Sequence, residues 1–282
     1  MMRSIGKNEI EACVNQIQLN GYTVLENYLE SAKLLDQKID RLFDFRSERF
    51  AELRNYQLPE GVQRKSLQED DFIHHLPVYD ILFARLSVEG DHQEIIRDIL
   101  NDKFYGIEPE IIPNYNLGMF NARRGHSALP WHNDVRFQHS SCETFSLQTF
   151  FSLEDMDSYN GTLCVVPESH LSGTYPHYPR DFDSYEILGL KSGDLVIFDS
   201  RLHHCTMVGN NNLFNIPWTI LGTYRSWWLK QNFDYYGYFC DYKNTHPHRF
   251  SQSQLAILGG NSHVDMNLHR SVSLRRRAAD IE

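Results

Sequence analysis

The chain has 282 residues, with 27 Lys and Arg against 37 Asp and Glu, a formal net charge of −10 and a pI near 5.8. An acidic surface repels phosphate backbones and anionic bilayers, so neither nucleic acid nor membrane is an expected partner. No apolar run approaches the roughly 18 residues of a membrane span, the N-terminus has no apolar leader core, and five cysteines form no Cys-X-X-Cys pair, which together predict a reduced, cytoplasmic setting.

In chain order, residues 9–19 place Ile10, Cys13 and Ile17 at helical spacing, and Asn20-Gly21 ends the helix. A short strand is predicted over 22–25, then an amphipathic helix over 31–45 with Ser31 as its N-cap. Residues 46–71 read as polar and irregular, 78–86 as an apolar segment, and 92–100 as a further helix. From Ile111 the pattern changes to short apolar and aromatic runs punctuated by Gly, Asn and Pro, the mark of an antiparallel sandwich or barrel. The strands expected are 115–120, 144–153, 161–166, 194–198 and 218–224. The whole reads as one mainly β domain: a helical buttress over about 1–110, a jelly-roll core over about 111–230, and an extension over 231–282.

The chemistry concentrates in three places. Leu129-Pro130-Trp131-His132-Asn133-Asp134 offers an imidazole and a carboxylate at i and i+2, which point to one face if the strand continues. Gly193-Asp194 opens an apolar strand that is followed by the pair His203-His204. Extended from Val196, that strand puts Val196, Phe198, Ser200, Leu202 and His204 on its apolar face and His203 on the other, so His204 is the better third ligand. Two imidazoles and one carboxylate leave three positions open on an octahedral ion, the donor set of Fe(II) oxygenases. Between these motifs lies Asn160-Gly161-Thr162-Leu163, followed by Pro167-Glu168-Ser169-His170, whose Ser and His are expected to shape a loop.

These three blocks, in this order, resemble the phytanoyl-CoA dioxygenase family over roughly residues 21–230. The resemblance implies a double-stranded β-helix fold and a distal histidine eleven residues after the Gly of Gly-Asp, which is His204. It also implies Fe(II), 2-oxoglutarate and O2 as cofactor and cosubstrates, with release of succinate and CO2 as a small molecule is oxidised. Related halogenases lack the carboxylate; Asp134 is retained here, which favours hydroxylation, with desaturation, ring closure and epimerisation as other outcomes.

The chain departs from the family at the arginine that grips the distal carboxylate of 2-oxoglutarate, expected near 213–217, where neither Arg nor Lys stands. Arg225 lies about 26 Å farther along an extended strand, too far to substitute in place. Arg123 and Arg124 are the alternative anchors, with Gln148 and Thr149 as further cosubstrate-side candidates and Arg136 and Trp131 as substrate-side ones. The missing arginine also keeps open a 2-oxoglutarate-independent iron oxygenase, and a jelly-roll binding protein with a vestigial site is the non-enzymatic alternative. The oligomeric state is not legible.

Overall fold

The computed structural model describes residues 2–54, 70–101, 113–125, 129–135, 139–158, 161–176, 184–207, 217–241 and 250–260. The N-terminal part contains α1 (Lys7–Asn20), β1 (Tyr22–Leu25), α2 (Ala32–Arg54), β2 (Asp70–Ile73), α3 (Ile81–Leu86) and α4 (His92–Leu100). It is followed by β3 (Tyr115–Gly125), β4 (Leu129–His132), β5 (Ser146–Ser152), β6 (Thr162–Val165), β7 (Glu186–Ile187), β8 (Leu195–Asp199), β9 (His204–Met207) and β10 (Thr219–Ser226). Two short helices, α5 (Tyr235–Asp241) and α6 (Gln252–Ile257), come last.

Two antiparallel sheets face each other as a jelly roll. The larger has the order β1-β8-β5-β10-β3-β2 and the smaller β4-β9-β6-β7. Strand alternation sorts the side chains of the larger sheet. Leu147 and Phe151 of β5, Leu195 and Ile197 of β8, and Ile220 of β10 join Ile17, Ile39, Phe83 and Ile95 in a core under the helices. Phe150, Val196 and Phe198 point the other way and meet Leu163 and Val165 of the smaller sheet between the layers. Each fully buried side chain of this size contributes about 2–3 kcal/mol, so burial on both faces fixes the register of β5 and β8 against slippage.

Two elements differ from the sequence expectation for identifiable reasons. The second helix runs on to Arg54, where periodicity ended at Phe43, because Glu48, Arg49, Ala51, Glu52, Leu53 and Arg54 are good helix formers without an apolar stripe. The strand expected over 194–198 is found as β8, but the alternation carried on from it to His204 is broken after Asp199: its carboxylate accepts the N–H of Arg201 at 2.8 Å, an Asx-type turn that ends β8 and lets the chain start β9 at His204. The residue set on one face of a continuous strand from Val196 to His204 therefore does not exist, although His204 does reach the site.

The Gly-Asp pair that opens β8 is an anchor of backbone. Gly193 has φ +95° and a Cβ there would sit 2.7 Å from Leu29 O. The Asp194 carboxylate accepts the N–H groups of Asn27 and Lys191, both at 2.8 Å or less, tying the β1–α2 connection to the start of β8.

Candidate metal centre

His132 and His204 are cross-strand partners at the β4–β9 edge, with ring centroids 4.2 Å apart. Asp134 is not on the strand: β4 ends at His132, and Asp134 is held just beyond it by its own N–H, which donates to Ser200 O at 2.8 Å. The turn after β8 thus positions both the carboxylate and, four residues on, the second imidazole. His132 Nε2 lies 3.8 Å from Asp134 Oδ1, and His204 Nε2 lies 3.7 Å from Asp134 Oδ2. The donor atoms of all three lie within 4.8 Å of one another.

The tautomers follow from the neighbours. His132 Nδ1 is 2.7 Å from Pro130 O and His204 Nδ1 is 2.9 Å from Leu202 O, so each Nδ1 carries the proton and donates it to a carbonyl. Both Nε2 lone pairs are left facing Asp134. Burial pushes the His204 pKa down to about 4, against the opposing pull of Asp134, which keeps the ring in the neutral form a metal requires. A two-nitrogen, one-oxygen donor set with fixed tautomers, and with Asp134 open to solvent, fits an octahedral iron with three positions free.

The loop from Pro167 to Leu171 holds the remaining neighbour in place. Ser169 Oγ accepts the His203 N–H at 2.8 Å, Val166 N–H donates to His203 O at 2.9 Å, and His203 Nε2 lies 2.7 Å from Thr174 O. His203 faces away from the donors and braces His204 through the backbone. Ser169 and His170 form the 3-10 turn of that loop.

The other predicted residues separate by face. Arg123 is buried on the inner face of β3, its Nη1 3.3 Å from Thr206 Oγ1 and its guanidinium over the Phe72 ring. Arg124 points to the opposite, helical side, stacked 4.5 Å over Trp218 and 3.5 Å from Asp40. Gln148 faces inward, donating to Ser200 Oγ at 3.2 Å and accepting from Thr223 Oγ1 at 2.7 Å. Thr149 alternates to the helical face beside Gly222. Trp131, adjacent to His132, turns outward and packs edge-on against Tyr185 at 5.4 Å. Arg136 lies outside the described residues. So of the two arginines and the Gln-Thr pair, one member each reaches the interior.

Arg225 is the residue that chain distance hid. It pairs with Ser146 across β5 and shares the inner face with Thr223 and Leu221; the Asp134 carboxylate acts on its guanidinium through space. Period-2 counting from Leu221 would have found its face; folding supplies its distance from the site. A separate cleft of about 480 Å³ lies on the helical side, lined by Met2, Leu29, Leu35 and Leu86 and by none of the donor residues.

A jelly roll with two imidazoles and a carboxylate gathered on one small-sheet edge defines the non-haem iron oxygenase class. Residues 17–207 match the family model "Phytanoyl-CoA dioxygenase (PhyH)", and the chain belongs to that family of Fe(II)/2-oxoglutarate-dependent oxygenases. No curated protein matches the sequence. Among solved structures, the chain is similar to EctD from S. alaskensis with 2-oxoglutarate and 5-hydroxyectoine (17% identity, 79% of this chain and 76% of that one, TM-score 0.55). It is similar to HygX from Streptomyces hygroscopicus with nickel, 2-oxoglutarate and hygromycin B (15% identity, 80% and 90% covered, TM-score 0.54). It also resembles the non-heme alpha ketoglutarate dependent epimerase SnoN from nogalamycin biosynthesis (15% identity, 78% and 82% covered, TM-score 0.52). At these identities the likeness establishes the shared double-stranded β-helix.

Proposed function

We propose that His132, Asp134 and His204 ligate Fe(II) and that the protein hydroxylates a small molecule. Substrate C–H, O2 and 2-oxoglutarate become substrate C–OH, succinate and CO2. The observation that carries this reading is the convergence of three donors with both Nε2 atoms freed by carbonyl-bound Nδ1 protons. Bound iron would supply dioxygen activation and a seat for the keto acid. The protein's part is to orient both imidazoles with Nε2 toward the metal and to bind the two organic partners beside them. A small-molecule substrate agrees with the net charge of −10 and with the hygromycin B and 5-hydroxyectoine named in the HygX and EctD structures.

Arg123 anchors the distal carboxylate of 2-oxoglutarate in this reading. Its backbone pairs with Thr219, and Pro217, at the end of the segment where the family arginine is expected, lies two residues before Thr219. Such diagonal neighbours in an antiparallel ladder are about 7–8 Å apart, so a cation on the adjacent strand reaches the same space. Its contact Thr206 lies two residues beyond His204, about 7 Å along the strand, a spacing that supports a cosubstrate chelated at the donors reaching this guanidinium. Gln148 braces the wall between.

The test is anaerobic titration with Fe(II) and then 2-oxoglutarate, followed by the visible charge-transfer band of the chelate. Wild type should show the band. Arg123→Ala should raise the 2-oxoglutarate Kd by about 30- to 150-fold, the worth of a lost charge-assisted pair of about 2–3 kcal/mol, while Arg124→Ala leaves it unchanged. Iron binding without any band in wild type would overturn the cosubstrate assignment.

A further inference from the structure

We propose that Arg225 is a substrate-anchoring residue that binds an oxyanion group of the substrate, a carboxylate or phosphonate-type group, beside the metal centre. This rests on the iron and 2-oxoglutarate reading above and narrows its substrate class to small acids.

The argument begins with the frame built around the guanidinium. A Cβ at Gly118 would stand 3.0 Å from Arg225 Nε and 3.3 Å from its Cζ, so the side chain lies in a bed that any larger residue would crowd. Nη1 donates to Lys230 O at 3.1 Å and to Asn232 Oδ1 at 2.8 Å, and Asn232 N–H donates back to Gly118 O at 3.0 Å. One edge of the fork is therefore fixed by a backbone carbonyl and a side-chain amide oxygen from residues 230–232, which are themselves tied to β3. The other edge is open: among the described residues Nε and Nη2 make no hydrogen bond, and no carboxylate forms an ion pair with Arg225.

Holding a cation in this place is costly, since burial lowers its pKa and the charge of Asp134 only partly compensates. A cation that merely neutralised Asp134 would sit in contact with it. Instead the guanidinium is oriented, half-desolvated and presents two donors in the planar geometry that matches an oxyanion bidentately. Arg123 and Arg225 stand on the same inner wall, at positions six residues apart along β10: Arg123 lies opposite Thr219, and Arg225 is on β10 itself. At about 3.3 Å per residue that is roughly 20 Å of strand. Two arginines at opposite ends of one wall provide separate seats for two anions, cosubstrate and substrate: one runs to the strand of His204, and the other is paired with Ser146, whose Oγ accepts from Ser200 Oγ at 2.8 Å, the residue whose carbonyl holds the Asp134 N–H at 2.8 Å.

The experiment uses the full chain loaded with Co(II) and saturating 2-oxoglutarate under anaerobic conditions, with methylphosphonate and acetate as probes. Paramagnetic relaxation of the 31P and 13C signals reports a probe held near the metal. Wild type should give saturable enhancement at millimolar probe. Arg225→Gln should lose it at least fivefold and Arg225→Lys should keep part of it. Gly118→Ala, which retains the arginine but fills its bed, should weaken it as well. The 2-oxoglutarate Kd, read from the Fe(II) charge-transfer band, should stay within twofold in every variant. Absence of enhancement in wild type, or equal enhancement in Arg225→Gln, overturns the proposal. A tenfold loss of 2-oxoglutarate affinity in Arg225→Gln also overturns it, because Arg225 would then hold the cosubstrate. If wild type forms no 2-oxoglutarate band, the cosubstrate reading fails by itself, and the same probes titrated into protein with Co(II) alone still decide the role of Arg225.

Discussion

Each imidazole donor is set by one carbonyl and one packing contact, so the three candidate ligands should differ in how they fail. Asp134 is exposed and tethered through its own backbone N–H; Asp134→Ala removes a ligand but keeps that tether and opens no buried cavity, so the fold should hold. His204 is 5% exposed and packs against the Phe198 ring at a centroid distance of 4.9 Å, so His204→Ala opens a cavity beside that ring at a cost of about 2–4 kcal/mol. The expected outcome is that His132→Ala, Asp134→Ala and His204→Ala all abolish iron-dependent succinate formation, while only His204→Ala lowers the thermal midpoint by several degrees. Succinate release and differential scanning fluorimetry on the same preparations separate the two effects. Full activity in both His132→Ala and Asp134→Ala would sink the ligand assignment.

At the scale of elements, the His-X-Asp block, the Gly-Asp strand and the distal histidine were legible because each is a local pattern, and the helix His92–Leu100 and strand Tyr22–Leu25 appear with the bounds read from periodicity. What was hidden is what long-range contact decides. Arg123 from Arg124 and Gln148 from Thr149 separate only when it is known which face of β3 and β5 meets the smaller sheet, and Arg225 approaches Asp134 only once β10 lies beside β5. The end of β8 was legible to within a residue, but the turn that breaks the alternation between Asp199 and His204 was not, since a side chain capturing a nearby N–H overrides a face count. That turn carries a buried ion pair: Arg201 Nη2 lies 2.8 Å from Asp199 Oδ2, and Nη1 donates to Ser141 O at 2.6 Å. Removing the arginine leaves a buried carboxylate uncompensated, a loss of about 3–5 kcal/mol. Because the same turn supplies Ser200 O to Asp134 and leads into His204, Arg201→Leu should both destabilise the protein and weaken Fe(II) binding. Asp194→Asn gives up one of two backbone anchors at the far end of β8 and should destabilise by about 1–2 kcal/mol with Fe(II) affinity unchanged. Urea denaturation with a parallel Fe(II) titration tests the contrast; a metal-affinity loss in Asp194→Asn equal to that in Arg201→Leu would refute the separate role of the turn.

The molecule as a whole should be acid-sensitive, and one residue sealed between its layers sets much of the slope. His92 is fully buried, its Nδ1 2.9 Å from Tyr28 Oη and its Nε2 2.9 Å from the Gln93 amide. Burial lowers its pKa from 6.5 to about 3. The unfolded chain therefore binds a proton at His92 below pH 6.5 while the folded one stays neutral down to about pH 3. This contribution is whole above pH 6.5 and is lost as pH falls, by about 1.4 kcal/mol per pH unit. Asp36 opposes it: burial first, then repulsion from Glu154 and Asp40, raises its carboxyl to about 6, so folding gains at this site as pH drops below 6. Asp36 is partly exposed on α2, however, and solvent screening shrinks its effect, whereas no water reaches His92. The metal-free protein should thus lose about 2 kcal/mol of stability at His92 alone between pH 6.5 and 5. His92→Gln, which cannot take up a proton in either state, should be less stable than wild type at pH 7.5 and should lose stability less steeply on acidification. Urea unfolding at half-unit pH steps gives both slopes, and parallel curves for wild type and His92→Gln would show that the acid sensitivity arises elsewhere.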